Sequence, residues 1–150
     1  MTRNPLQAIL FTVTTILFIH PAAAERPAIA GTWQLDVNES RFGNMPHPVY
    51  GLLTIANGSH KVLHIAMTTK GPDSEHTVES DWKVDDRYHP VDGSGSGELL
   101  AKWDGAILVG KKLAGDTTEE IRFRLGPGNE TLTESIQSGT NVTTLIWHRR

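Results

Sequence analysis

Beyond its first thirty residues the chain alternates apolar and polar side chains in short runs broken by Gly, Asn, Asp and Pro, and no stretch there sustains a helical stripe. A period of two sends successive side chains to opposite faces of a strand. Runs of this kind, closely spaced and rich in Thr, Val and Ile, spell an antiparallel β-meander rather than a bundle. A meander of this length has a way to bury its apolar face without a second layer, which is to curl into a barrel.

The strands can be placed from the alternation and the turns. The first spans about 31–37, with Trp33, Leu35 and Val37 on one face. Residues 38–43 are expected to form one helical or 3₁₀ turn, with Asn38 as N-cap and Gly43 as stop, and Pro46 and Pro48 prevent its extension. Strands follow at about 49–56 and 60–69, joined at Asn57-Gly58, a strong short-hairpin signal. Gly71-Pro72-Asp73-Ser74 turns the chain into a strand at 75–84 and sets a register: Leu63 opposite Trp82, Ile65 opposite Ser80, Met67 opposite Val78, His64 opposite Asp81. A short run at 88–91 contains Pro90 and reads as an edge. After the glycine–serine stretch 92–97 come strands at 98–103, 106–113, 117–125, 130–137 and 142–149. The expected architecture is an all-β, antiparallel up-and-down barrel of about 8–10 strands.

The start of the chain reads as processing information. Arg3, an apolar run from Ile9 to Ile19, and Ala22 and Ala24 in an A-x-A arrangement fit a secretory signal cleaved after residue 24. The run is well short of the ~20 residues a spanning helix needs. Residues 25–150 are then a single domain, exported to the periplasm or cell exterior, with no membrane span after processing. The full chain carries a formal charge of −3, and losing a leader that contains Arg3 but no acid makes the remainder more acidic. That balance argues against nucleic acid or an anionic membrane as partner. There is no cysteine, so neither a disulfide, a thiolate metal site nor thiol catalysis is available.

Gly31-Thr32-Trp33 resembles the Gly-x-Trp opening of lipocalins and fatty-acid-binding proteins. That resemblance implies a late arginine lying across the tryptophan to close the barrel, a role that falls to Arg149 in Trp147-His148-Arg149, with Arg124 in reserve. Gly31-Thr32-Trp33-x-Leu35-Asp36 with Ser40 and Phe42, Asp86-Arg87-x-His89-Pro90-Val91-x-Gly93, and Lys102-Trp103-Asp104-Gly105 are together similar to secreted bacterial lipocalin-like proteins, mostly of unassigned function. The likeness covers most of residues 28–150. Two departures stand out. The link between the first two strands is too short for the helical lid of fatty-acid-binding proteins, and their Arg/Tyr carboxylate-binding triad has no counterpart here.

No catalytic constellation is visible. His60 and His64 on a strand are ~13 Å apart, too far for one ion at Zn–N distances of about 2 Å, so no metal or other cofactor is expected. Gly93-Ser94-Gly95-Ser96-Gly97 has glycine where a nucleophile elbow needs serine. Asp85-Asp86 and Glu119-Glu120 read as solvated charge, since strand neighbours point apart. The sequons at Asn38, Asn57, Asn129 and Asn141 read as chance matches in a Thr-rich chain. Leu63, Met67, Trp82, Trp103 and Phe123 either fill the barrel or line a cavity within it. In the second case the expected role is non-catalytic binding of a small apolar or amphipathic molecule by a monomer. The alternatives are a filled barrel acting as an interaction module for a protein or envelope partner through loops 43–48 and 92–97, and an enzyme of the isomerase or haem-handling kind.

Overall fold

The computed structural model describes residues 28–91 and 97–150. The leader expected at 1–24 and most of the glycine–serine stretch, 92–96, lie outside the described residues. The alternation is realised as ten strands: β1 Gly31–Arg41, β2 Tyr50–Asn57, β3 Val62–Lys70, β4 Glu75–Lys83, β5 Tyr88–Pro90, β6 Glu98–Asp104, β7 Ile107–Ala114, β8 Thr117–Leu125, β9 Thr131–Ser138 and β10 Asn141–Arg149. They form one antiparallel sheet in the order β4-β3-β2-β1-β10-β9-β8-β7-β6-β5. This is a nearly closed up-and-down barrel. Its seam, between β4 and β6, is stitched by the Val84–Ala101 bridge and by the Asp86 amide donating to the Ala101 carbonyl at 3.0 Å. Among the described residues no helix is long and apolar enough to cross a membrane.

The register read from the Gly71–Ser74 turn is the observed one, with Leu63 opposite Trp82, Ile65 opposite Ser80, Met67 opposite Val78 and His64 opposite Asp81. Two local expectations are corrected. The helical turn at 38–43 is absent, and β1 instead bulges and continues to Arg41. The Asp36 carboxylate accepts the Asn38 and Glu39 amides, both at 2.9 Å. The Ser40 hydroxyl donates to the Asp36 carbonyl and accepts the Ile146 amide at 2.9 Å. Side chains thus substitute for the missing ladder bonds across the bulge, and pairing resumes at Arg41–Thr144. Asn57-Gly58 is likewise not a two-residue hairpin. The connection runs on to Lys61, closed by the Gly58 amide on the Val62 carbonyl at 2.8 Å, and the left-handed positions fall on His60 and Lys61.

The inward faces meet in one core. Trp33, Trp147, Leu108, Leu132 and Ala101 are fully buried, and Leu53, Ile55, Phe123 and Leu145 are 1 % exposed. Arg149 seals this end. Its guanidinium carbon stands 4.1 Å from the centre of the Trp33 ring. Its nitrogens donate to the carbonyls of Asn129 at 2.8 Å, Ala30 at 3.2 Å and Ala28 at 3.1 Å. Gly31 makes room for it, since a Cβ there would lie 2.7 Å from a guanidinium nitrogen. One cation thereby ties the entry segment, the turn before β9 and both end strands together. Arg149→Met should lower unfolding free energy in urea by about 1–3 kcal/mol. Arg149→Lys should recover only part of it, because an ammonium lacks the planar fork that reaches three carbonyls. Unchanged stability of Arg149→Met would show the clamp to be idle.

Candidate functional site

Above the aromatic floor the barrel does not fill. A cavity of about 580 Å³ is walled by Met67 and Trp82 on the β3–β4 side, Leu99 on β6, and Ile121 and Ile136 on β8 and β9. Asn44 and Met45, from the link between β1 and β2, cover part of its mouth. That link is pinned where the Thr143 hydroxyl donates to the Phe42 carbonyl at 3.1 Å. Trp82 shapes the wall. Its ring stands 5.6 Å from that of Phe123 at 58°, its indole N–H donates to the Ser80 hydroxyl at 3.0 Å, and it lies against Gly110 of β7. A Cβ at Gly110 would come within 2.4 Å of the indole, so that glycine is what lets the ring cross the interior.

The five residues read from the sequence as a common lining are divided by the fold. Met67 and Trp82 face the main cavity. Leu63 and Trp103 line a separate hollow of about 470 Å³ at the opposite end, with Ile29, Lys61, Val62 and Val84. Phe123, 1 % exposed, belongs to the floor between them. Strand direction explains the split. Leu63 and Met67 share a face of β3 but are four residues apart, about 13 Å along the barrel axis.

Polar residues missed in the sequence reading also face the cavity. Glu134 is 4 % exposed, inward on β9 between Leu132 and Ile136, and one of its oxygens, Oε2, accepts the Trp147 indole N–H at 3.0 Å. Burial pushes its carboxyl up from 4.5 to about 7. The Trp147 hydrogen bond opposes that rise, and the negative charge of Glu119 adds to it. Glu119 itself faces the cavity, as does its cross-strand partner Lys112, which corrects the reading of Glu119 as ordinary solvated charge. Its strand neighbour Glu120 points outward to Lys111 and Arg122. The signal for both inward acids was present in the alternation: Glu119 is in phase with Ile121 and Phe123, and Glu134 with Leu132 and Ile136.

Other titratable clusters lie on the outside. His64 pairs with Asp81 at 2.5 Å. Asp85 accepts from His89 at 2.8 Å, a hydrogen bond that holds its carboxyl below the usual range. The bulge in β1 brings Asp36 and Glu39 beside His148, their donor atoms within 4.8 Å of one another. This grouping of metal-capable side chains became visible only with the β1–β10 register, and it is turned away from the cavity.

No family model and no curated protein sequence matches the chain. Solved structures do resemble it. Fatty-acid-binding protein 1 of Echinococcus granulosus superposes with a TM-score of 0.63 at 13% identity, over 81% of this chain and 97% of that one. Secretory abundant heat soluble protein 4 of Ramazzottius varieornatus gives 0.65 at 14%, over 87% and 99%. Apo lipid binding protein 8 of Caenorhabditis elegans gives 0.59 at 10%, over 86% and 100%. At these identities the likeness is one of fold.

The buried acid has a measurable signature. Because the folded protein holds a proton on Glu134 that the unfolded chain releases near 4.5, stability should fall as pH rises from about 4.5 to about 7, by about 3 kcal/mol. Asp85 and Glu120, whose folded values are lowered, act below that window. Glu134→Gln keeps an oxygen for Trp147 and removes the charge. It should flatten thermal stability across this range and raise Tm above wild type at the alkaline end. Parallel pH profiles for the two proteins would contradict this account of Glu134.

Proposed function

We propose that this protein reversibly binds a small apolar or amphipathic molecule inside the barrel, by shape and burial, and makes or breaks no bond in it. The observation that carries this reading is the roughly 580 Å³ cavity with a wall of Met67, Trp82, Leu99, Ile121 and Ile136. Spaces of about 300–1,000 Å³ with apolar walls and few polar groups are the usual form of small-molecule sites. Structural neighbours named for binding fatty acids or lipid support the same class of guest. The leader at 1–24, if cleaved as its sequence implies, places this binding in the periplasm or outside the cell.

A neutral solvatochromic dye such as Nile red should bind with one-to-one stoichiometry and quench tryptophan emission, Trp82 being part of the wall. Ile121→Trp should abolish that binding by filling the space while changing stability by no more than about 1 kcal/mol. Denaturation and solvent extraction of freshly purified protein, followed by mass spectrometry, would reveal a carried guest. A wild-type protein that neither binds the dye nor carries a guest overturns the reading. N-terminal sequencing of the exported protein should begin at Glu25, and an intact Met1 would refute the processing step.

A further inference from the structure

Resting on that reading of the cavity, the inference concerns the polar end of the guest. Glu134 offers the cavity one committed and one uncommitted oxygen. Oε2 is occupied by the Trp147 indole, whereas Oε1 has no hydrogen-bond donor among the described residues. Since no fully enclosed side-chain oxygen or nitrogen there lacks a partner, Oε1 must touch open space, and the space beside Glu134 is the cavity. A carboxyl oxygen that looks into a largely apolar cavity is a strong acceptor open to a donor.

The remaining polar groups point the same way. The Thr143 hydroxyl donates to the Phe42 carbonyl and the Ser80 hydroxyl accepts from Trp82; Asn44, Ser138 and Asn141 add uncharged polar groups to the lining. Among the described residues the charged side chains facing this space are Glu119 from β8, Glu134 from β9 and, as the single cation, Lys112 from β7; Glu79 borders it from the outward face of β4, out of phase with Trp82. Lys112 is the direct cross-strand partner of Glu119. An anionic head group entering here would meet two carboxyl side chains and one ammonium. We infer that the guest is an amphiphilic amine, its N–H donated to Glu134 Oε1 and its apolar part laid along Met67, Trp82, Leu99, Ile121 and Ile136. The fatty-acid-type anion suggested by the fold's neighbours is disfavoured by the same charges.

Occupancy and ionisation are linked. An ammonium stabilises the charged form of Glu134, so the amine should bind more tightly as that carboxyl loses its proton, while the ammonium itself stays charged over the same range.

Titration calorimetry of the full chain with decylamine, decanol and decanoate, each below its micellar concentration, separates the possibilities. Decylamine should bind tightest of the three and gain about tenfold in affinity between pH about 6 and about 8. Glu134→Gln should weaken decylamine by about tenfold or more, remove its pH dependence, and leave decanol within about twofold. Should Glu134→Gln fail to fold, Glu119→Gln at the cavity's outer wall provides the second reading. It should move the midpoint of the pH dependence downward, because the charge that raises Glu134 is gone. Decanoate binding as tightly as decylamine, or decylamine indifferent to both substitutions, overturns the amine proposal while leaving the cavity reading intact. If none of the three binds while Nile red does, the amine proposal falls and the cavity reading stands; if the dye is also refused and no guest is carried, the cavity reading itself fails.

Discussion

Everything in this molecule depends on β1 pairing with β10. Strand β1 has two neighbours, β2 and β10. Without the second, the chain would be two separate meanders, β1–β4 and β5–β10, each with one greasy face and no partner for it. The pairing spans almost the whole described chain, Trp33 opposite Arg149 and Leu35 opposite Trp147, and its loop-closure cost must be offset by what it buries. Two tryptophans at zero exposure and a guanidinium that gathers three carbonyls over the Trp33 ring are the local source of that stabilisation.

The same closure divides the interior. Large aromatic side chains collect in the floor between the two hollows, where Trp33, Trp147 and Phe123 are at most 1 % exposed, and Trp82 with smaller apolar side chains lines the main cavity. Trp147 serves both halves. Its ring fills the floor, and its N–H is the one donor that makes burying Glu134 tolerable. A buried carboxyl is costly wherever it stands, and this one lies in the cavity wall rather than in the floor, where a second donor has space to arrive. The cavity, its acid and its aromatic base are consequences of one packing solution.

Seam and mouth fall on the same side of the barrel. Strand β5 is only three residues long and contains Pro90, which has no amide to donate. The ladder that would complete the circle is therefore replaced by the Val84–Ala101 bridge and by Trp82 leaning across to Gly110. Strand β4 consequently carries exposed residues over most of its length, Val78 among them at 61 %. The thinly covered part of the fold adjoins the empty part, which is where a guest needs access.

Strand number, the inward faces, and the register of β3 on β4 were legible in the residue order, because side-chain direction in a strand is a local property with a period of two. The same rule marks Glu119 and Glu134 as inward-facing once the phase of Ile121 and Leu132 is followed through. The bulge after Asp36 was not legible, because what stabilises it is the Ser40 hydroxyl bonded to an amide more than a hundred residues away. Nor was the separation of Leu63 and Trp103 from Met67 and Trp82, since alternation reports which face a side chain takes and says nothing of its height along the axis. By itself, then, the sequence determined an all-β chain with one apolar face. Tertiary structure alone decided that this face encloses a chamber, that the chamber sits at one end, and that an acid looks into it. The reason is that volume and burial arise between strands distant in sequence, where no short-range pattern reaches.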